Sequence, residues 1–398
     1  MTLRLKITAG DPSTVKHGAF AYTWDIVGDP AGAERIAGLG VSTVTLQAAY
    51  HSVRATTPWH PRHRIVQADH AAAYFRLRPE RWRGRLRPYP PSWGVPDEDR
   101  FGTALAALAG AGLRAEAWLV LTHSSVLGRE APDLTVRNAY GESYSYALCP
   151  AQPAVHDYAI TLVREVCEQY DVPALMLEAC GWLGAEHAGH HEKTSGAHLS
   201  ACGRALLSLC LCPACGAGLA GRGLDVEELA RDVRAAVDRE LQQGVPAGTS
   251  LDEALGRERA RALYGHRGQV IADLVRDVAA GAGGRELLLM ATDDPQVTGP
   301  DVGIDLASFD APVDAYVLKC WGQEEAALAQ VKAAASRTGV PIVANLTVLE
   351  DGHARIPALA ADLVAGGARQ LRYYHAGLGS PARLASVRAA ARLKERQC

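Results

Sequence analysis

The sequence predicts one α/β domain over residues 1–398, a (β/α)8 TIM barrel with long loops after strands 2 and 4. Two observations predict this fold. Short apolar segments typical of strands buried on both faces recur eight times along the chain. Alanine-rich helical patterns separate these segments, and several of them end in glycine, which accepts the left-handed conformation found after helices. Strand and helix alternation of this kind favours a barrel, with an open doubly wound sheet as the alternative.

The predicted strands share a short run of apolar, β-branched or aromatic residues. They are Phe20–Val27, Val41–Ala49, Arg114–Thr122, Ala174–Cys180, Glu286–Thr292, Ala315–Trp321, Ile342–Val348 and Gln370–Tyr374. Helical periodicity is clear in Pro153–Tyr170 and Glu324–Arg337, where alanine, leucine and valine recur at three- and four-residue spacing. Pro381–Arg396 is the last predicted helix.

Two long segments interrupt this alternation. Tyr50–Trp93 follows the second strand and has nine arginines but little helical periodicity. Leu183–Gly284 follows the fourth strand and contains a cysteine cluster and charged helices such as Asp225–Gln242. Loops that follow the strands of a barrel lie on the face where active sites are found. We therefore expect both segments at the mouth of the barrel, with residues 183–284 as an insertion in the single domain.

The cysteine cluster predicts a metal site. Cys210, Cys212 and Cys215 form a C-x-C-x-x-C motif, and thiolates at this spacing can bind one tetrahedral zinc ion with a fourth ligand. The candidates for that ligand are Cys149, Cys180 and Cys202. Four thiolates leave no open position on zinc, so the ion would stabilise the fold and take no part in the chemistry. The alternative is a set of buried cysteines that act as small apolar side chains.

Polar and aromatic residues follow the predicted strands, where barrel enzymes place their catalytic residues. Glu178 interrupts the apolar fourth strand, and burial of a lone carboxylate is costly unless it has a partner or a task. Asp293 ends the fifth strand and is the expected second carboxylate, with Asp294 in reserve. The residues expected to bind substrate are Asp25, Trp24, His51, Trp59, His123, His190, His191, Lys319, Trp321, Asn345, Tyr374 and His375.

The segment Val136–Cys215 resembles the family forty-two β-galactosidases, which are barrel glycoside hydrolases. The resemblance rests on VRNAYGESYSYALCPAQPAVHDYAITLVREV, on Glu178 at the end of the fourth strand and on the C-x-C-x-x-C loop that follows. It implies that Glu178 is the acid/base and that Cys149 is the fourth zinc ligand. Two positions differ from the family pattern. Leu177 replaces the asparagine before the glutamate, and Asn345 stands at the end of the seventh strand, where the family has its glutamate nucleophile.

Three functions are compatible with these residues. The first is glycoside hydrolysis or glycosyl transfer, with Glu178 as proton donor and Asp293 as nucleophile or base. The second is a metal-dependent sugar isomerase or lyase, in which His187 and His191 with the two carboxylates would hold a divalent ion. The third is a sugar-binding barrel without catalysis, which the asparagine at position 345 motivates.

The composition of the chain limits the classes of partner and the cellular location that we expect. The 41 Lys and Arg against 44 Asp and Glu give a net charge of −3, which offers no case for nucleic-acid binding. No apolar run approaches the roughly 20 residues of a membrane span, and the start lacks the apolar region of a signal peptide, so we expect a cytoplasmic protein without membrane contact. The expected substrate is a carbohydrate or glycoside. The arginines of Tyr50–Trp93 suggest an acidic or phosphorylated sugar, and a homo-oligomer is left open.

Overall fold

Eight parallel strands close into a barrel in the computed structural model, which describes residues 15–94, 98–187 and 193–392. The strands are β1 (Lys16–Ala21), β2 (Thr43–Tyr50), β3 (Arg114–Val120), β4 (Ala174–Glu178), β5 (Glu286–Thr292), β6 (Ala315–Lys319), β7 (Ile342–Thr347) and β8 (Ala368–Tyr374). Each strand pairs with the next along the chain, and β1 pairs with both β2 and β8. The predicted (β/α)8 fold is confirmed.

The boundaries of the first strand were predicted wrongly, whereas the other seven predicted strands overlap their observed counterparts. The sequence predicted Phe20–Val27, but β1 ends at Ala21 and a 3-10 turn follows at Thr23–Asp25. The Asp25 carboxylate accepts a hydrogen bond from the Tyr22 backbone N–H at 2.7 Å. Side-chain hydrogen bonds of this local kind compete with a strand ladder and favour a turn. Trp24 and Asp25 therefore lie just beyond the strand.

Twelve α-helices connect and extend the barrel in the described residues. They are α1 (Gly32–Ala37), α2 (Arg100–Gly110), α3 (Ser125–Glu130), α4 (Pro153–Gln169), α5 (Ala201–Leu207), α6 (Pro213–Ala220), α7 (Val226–Gln243), α8 (Leu251–Leu255), α9 (Arg257–Gly281), α10 (Glu324–Arg337), α11 (Ile356–Ala365) and α12 (Pro381–Ala391). Gly40 and Gly112, just beyond α1 and α2, have φ values of 82° and 75°, as the glycine pattern predicted. None of the described helices is long and apolar enough to span a bilayer.

The two long segments have structures of their own. Between β2 and α2, the strands Val53–Thr56 and Ile65–Ala68 form an antiparallel pair, and Ala72–Ala73 pairs with the end of β2. Between β4 and β5, helices α5 to α8 pack around a separate apolar cluster that includes Leu206 and Val237. Helix α9 joins this cluster to the barrel, because its first half packs on the cluster and its second half packs on the barrel core.

A buried ion pair crosses the interior of the barrel below the mouth. Arg372 on β8 donates to Glu116 on β3 at 2.7 Å, and Thr45 on β2 donates to the same carboxylate at 3.0 Å. Gly18 on β1 leaves room for the arginine, since a Cβ atom at that position would lie 2.7 Å from Arg372 Cδ. This pair identifies the inward faces of its strands, because successive side chains of a strand alternate between its two faces.

Glu116→Ala is expected to lower the free energy of unfolding by about 3–5 kcal/mol, because the buried Arg372 guanidinium loses its counter-charge. Urea denaturation measures this change. Arg85→Ala is the control, since it breaks an ion pair with Asp133 in which both side chains are more than half exposed. The control should cost about 1 kcal/mol or less. Equal losses in the two variants would contradict the role given to the interior pair.

Candidate active site

Alternation along the strands brings a defined set of side chains to the mouth. Asn345 on β7 is in register with Arg372, and Lys319 on β6 is in register with Asn345, so both face inward. On β3, Trp118 lies two residues beyond Glu116 and shares its inward face. Glu178 is in register with Val120, which is again two residues farther along β3, and therefore also faces inward. Of these predicted site residues, the structure brings Glu178, Lys319 and Asn345 to one face.

Glu178 is a buried acid at the end of β4. Its side chain accepts a hydrogen bond from Trp118 Nε1 at 2.7 Å, and the residue is only 5% exposed. The pKa of Glu178 is raised to about 8, mainly by burial and also by the nearby charge of Asp301, while the Trp118 hydrogen bond and Lys319 act in the opposite direction. At neutral pH this carboxyl group is therefore mainly protonated and can donate a proton.

Asp301 is the second acid near this position, and the sequence analysis missed it. Directly after Glu178 the chain turns at Ala179, where φ is 50°, and the Ala179 N–H donates to the Pro300 carbonyl at 2.8 Å. Residues 302–303 then pair with the end of β5. These contacts hold Asp301 beside the end of β4, with its Oδ1 atom buried and without a hydrogen-bond partner in the described part of the chain.

The ionisation of Asp301 differs from that of Glu178. Burial raises the pKa of Asp301 to about 6, and the positive charge of Lys319 opposes that increase. At neutral pH, Asp301 is therefore mainly a carboxylate while Glu178 is mainly a carboxylic acid. Two neighbouring carboxyl groups with separated pKa values are the arrangement that general acid catalysis with a second, ionised carboxylate requires.

Three tyrosine hydroxyls meet next to Glu178. The hydroxyl oxygens of Tyr22, Tyr50 and Tyr374 lie 3.3–3.4 Å from one another. Burial raises the pKa of each phenol, and the Glu178 charge also raises the pKa of Tyr50 and Tyr374. The phenols therefore stay protonated and can donate hydrogen bonds. Tyr374 was a predicted substrate-binding residue, whereas Tyr22 and Tyr50 were not.

A second group of predicted residues lies between the ends of β1 and β8. Burial raises the pKa of Asp25 to about 7 and lowers the pKa of His375 to about 3. His375 Nδ1 lies 3.6 Å from the Asp25 carboxylate, and the peptide bond between Tyr374 and His375 is cis. Trp24 is fully buried beside Tyr22, with ring centroids 4.4 Å apart. Trp59 donates through Nε1 to the Gly379 carbonyl at 2.7 Å, which joins the loop after β2 to the loop after β8.

A row of rings begins at Tyr50 and passes through three histidines. Ring centroids are 4.1 Å apart for Tyr50 and His51, 4.5 Å for His51 and His123, and 5.2 Å for His123 and His187. Burial lowers the pKa of His51 to about 4 and that of His123 to about 2, so both rings are neutral at pH 7. His190 and His191, also predicted to bind substrate, lie outside the described residues.

The remaining predicted binding residues lie at the ends of β6 and β7. Lys319 Nζ is 4.5 Å from the centroid of the Trp321 ring, and that ring is 4.9 Å from the ring of Tyr374. Asn345 is fully buried, and neither of its amide side-chain atoms has a hydrogen-bond partner among the described residues. Unpartnered buried polar atoms are uncommon in proteins and are typical of places where a ligand or water binds.

The two predicted aspartates after β5 have hydrogen-bond partners other than Glu178. Asp293 accepts hydrogen bonds from the Leu306 N–H at 3.0 Å and from Arg337 on α10 at 2.6 Å. Asp294 accepts from the Gln296 N–H at 2.9 Å, within its own turn. Met290 on β5 is in register with Val317, two residues before the inward-facing Lys319, so Met290 and then Thr292 face inward at the end of this strand. The structure therefore does not bring Asp293 or Asp294 together with Glu178.

Four buried cysteines lie together between the loop after β3 and the insertion after β4. The sulfur atoms of Cys149, Cys210, Cys212 and Cys215 are all within 4.8 Å of one another. Cys149 Sγ lies 3.5 Å from Cys215 Sγ, 3.6 Å from Cys212 Sγ and 3.7 Å from Cys210 Sγ. Of the three candidates for the fourth position, the structure selects Cys149, since neither Cys180 nor Cys202 belongs to this group. The four thiols could hold a metal ion.

Three arginines of the segment Tyr50–Trp93 have structural partners. Arg78 contacts Glu165 at 2.6 Å and Glu168 at 2.8 Å on α4. Arg81 also pairs with Glu168, and Arg85 pairs with Asp133 at 2.7 Å. These ion pairs fix the segment to the loop after β3 and the helix after it. The charge of these three side chains is therefore already balanced, which weakens the expectation that they select an acidic sugar.

The fold is similar to that of solved glycosidases, although no protein-family model and no curated protein matches the sequence. α-L-Fucosidase isoenzyme 2 from Paenibacillus thiaminolyticus has a TM-score of 0.52 and 16% identity, over 94% of this chain and 48% of its own. A β-galactosidase from the psychrophilic Marinomonas ef1 has a TM-score of 0.57 and 10% identity, over 94% of this chain and 59% of its own. The chain thus spans between 48% and 59% of these proteins, and the likeness shows the barrel fold. Membership of family forty-two stays a prediction.

We expect the protonation of Glu178 to make stability depend on pH. Its folded pKa of about 8 exceeds the ordinary value of 4.5, so the folded state binds more protons than the unfolded state between these values. The contribution of Glu178 to the free energy of unfolding therefore falls as pH rises from about 5 to about 8, by up to about 1.4 kcal/mol per pH unit. Urea denaturation of wild type and Glu178→Gln across this range isolates the effect. A difference between the two proteins that is constant with pH would contradict it.

Proposed function

We propose that the protein is a glycoside hydrolase that uses Glu178 as its proton donor and Asp301 as its second carboxylate. The observation that supports this proposal best is the pair of neighbouring acids with pKa values of about 8 and about 6 at the mouth of a barrel. A glycosidase needs one carboxylic acid and one carboxylate on either side of the scissile bond. Asp301 takes the role that the sequence analysis gave to Asp293.

In this mechanism Glu178 transfers its proton to the glycosidic oxygen as the bond from that oxygen to the anomeric carbon breaks. The departing alcohol leaves neutral, and positive charge develops on the sugar. In an inverting reaction the Asp301 carboxylate removes a proton from the water that attacks the anomeric carbon. In a retaining reaction Asp301 attacks that carbon itself, and water then cleaves the resulting glycosyl ester while the Glu178 carboxylate takes a proton from the water. The Trp118 hydrogen bond to Glu178 holds the carboxyl group in place and stabilises the anion after proton transfer.

The rest of the mouth fits a sugar. Tyr22, Tyr50 and Tyr374 offer protonated phenols to sugar hydroxyls. Asn345 offers an unpartnered donor and acceptor, and the Trp321 ring offers an apolar face on which sugar C–H groups can stack. These groups support a carbohydrate or glycoside as the substrate.

The metal-dependent alternative has less support than carboxylate chemistry. His191, one of the ligands that this alternative needs, lies outside the described residues, and within those residues the cysteine cluster is the only group of three or more His, Cys, Asp or Glu ligand atoms within 4.8 Å of one another. Asp293, which the alternative needs, pairs with Arg337. A sugar-binding barrel without catalysis is a possible outcome of the kinetic test below.

Glu178→Gln and Asp301→Asn should each lower kcat on a susceptible aryl glycoside by at least 100-fold, because each removes one of the two acids. Asp293→Asn is the matched control and should keep kcat within about threefold of wild type while it lowers thermal stability. A panel of 4-nitrophenyl glycosides at saturating concentration measures these values. Full activity in Asp301→Asn and loss of activity in Asp293→Asn would make Asp293 the second carboxylate. If the wild type turns over none of the glycosides in the panel, the sugar-binding alternative is favoured.

The same assignment predicts a bell-shaped dependence of kcat/KM on pH. The rate should rise as Asp301 loses its proton near pH 6 and fall as Glu178 loses its proton near pH 8. Because the two groups interact, the measured values belong to the pair. Initial rates between pH 4 and pH 10 test this prediction, and a rate that stays constant from pH 7 to pH 10 would remove Glu178 from the role of acid.

We also infer that the four cysteines bind a structural zinc ion. Their sulfur atoms fit the four-thiolate donor set that zinc prefers, and the site is buried. An ion bound there would link the loop after β3 to helix α6. The catalytic proposal does not depend on it, because no cysteine of the cluster is among the groups that contact Glu178.

Cys212→Ser should therefore lose zinc and lower the temperature of unfolding while it keeps the glycosidase pH profile at low temperature. Cys167→Ser is the control, since Cys167 is buried on α4 outside the cluster. Elemental analysis of both variants gives the zinc content per chain, and calorimetry gives the unfolding temperature. Retention of one zinc by Cys212→Ser, or a wild-type protein without zinc, would contradict the inference.

A further inference from the structure

A cavity of about 330 Å³ with a mixed polar and apolar lining lies between the insertion after β4 and the connection from β5 to β6. Its lining includes Glu186, His187 and Arg204 from the insertion, and Asp294 and Val297 from the connection after β5. None of these residues is used by the proposed mechanism. The volume is near the lower end of the range for small-molecule sites, about 300–1,000 Å³, and suits a single sugar ring.

The row of rings described above links this cavity to the catalytic acids. His187 lines the cavity, and its ring contacts His123, which stacks on His51 and through it on Tyr50. Tyr50 is one of the three tyrosines that meet beside Glu178. This row of ring contacts therefore joins the cavity to the tyrosines beside Glu178.

The lining has the chemistry that binds hydroxyl groups. Arg204 Nε pairs with Glu186 Oε2 at 3.0 Å, and both side chains are about half exposed, so each has hydrogen-bonding capacity left for a ligand. Asp294 uses one oxygen within its own turn. An arginine with two carboxylates can bind neighbouring sugar hydroxyls as donors and acceptors.

Two smaller features shape the site for a ring. A Cβ atom on Gly184 would lie 2.1 Å from Thr298 Oγ1 and 2.4 Å from Ser208 Oγ, so glycine allows these two hydroxyls to approach the backbone. Val297 leaves 37% of its surface exposed at the rim, where it offers an apolar contact to the C–H face of a sugar.

We propose that this cavity is a subsite for a second sugar unit, so that the substrate of the enzyme is a disaccharide or longer oligosaccharide rather than a simple alkyl glycoside. This inference rests on the proposed function, since it extends the substrate from Glu178 into the cavity. The residues that recognise the second unit are Glu186, Arg204 and Asp294. Asp294, expected from the sequence to stand in reserve for catalysis, becomes a binding residue here.

The test measures sugar binding in a protein that cannot turn its ligand over. Cellobiose, lactose, N,N′-diacetylchitobiose and xylobiose are each titrated against Glu178→Gln by calorimetry and compared with their constituent monosaccharides. At least one disaccharide should bind tenfold or more tightly than its monosaccharides. Adding Val297→Trp, which fills the rim of the cavity, should remove most of this advantage. Adding Val245→Trp, at another exposed valine outside the cavity, should leave it unchanged.

Two results would overturn the subsite. One is that no disaccharide binds more tightly than its monosaccharides, and the other is that the advantage survives Val297→Trp. Either result leaves the proposed function intact if the wild type hydrolyses aryl glycosides and the Glu178→Gln variant loses that activity. A third outcome separates the two proposals. If the wild type hydrolyses no aryl glycoside, but a disaccharide binds more tightly than its monosaccharides and Val297→Trp removes that difference, the binding site is retained and the hydrolase is rejected.

Discussion

Closure of eight parallel strands is the constraint on which the rest of the structure depends. A closed barrel has one interior, so the alternation of side chains decides which residues meet inside it. The Glu116–Arg372 ion pair occupies one level of that interior, and inward-facing residues farther along the strands form the mouth. Glu178 belongs to the inward set and Asp293 to the outward set, although each follows an apolar strand.

The mouth combines burial with a limited number of charges. Burial is the largest cause of the raised pKa values of Glu178, Asp301 and Asp25, which reach about 8, about 6 and about 7. The Lys319 charge acts on the first two. Neutral phenols and imidazoles surround these acids, so at neutral pH few charges compete with those that develop during bond cleavage. An environment of this kind strengthens the electrostatic effect of each remaining charge.

Sequence patterns were sufficient for the fold, for Glu178 at a strand end and for the cysteine cluster, because each depends on local spacing. Asp301 could not be predicted in the same way, since it lies in an irregular connection that the Ala179–Pro300 hydrogen bond and the pairing of residues 302–303 with β5 hold near the end of β4. Asp293 was misleading because apolar runs such as LLLMAT do not show which face points inward. Once the fold is known, the register of β5 with its neighbouring strand shows that Thr292 faces inward and Asp293 outward.

The measurement that tests this account most directly is the titration of the Glu178 carboxyl group itself. Protein labelled with ¹³C at the glutamate side-chain carboxyl group allows the resonance of Glu178 to be assigned by its loss in Glu178→Gln and followed by NMR as pH changes. The account predicts a midpoint near pH 8, which leaves the group protonated at neutral pH. A midpoint close to the ordinary value of 4.5 would mean that Glu178 is a carboxylate there and cannot be the proton donor.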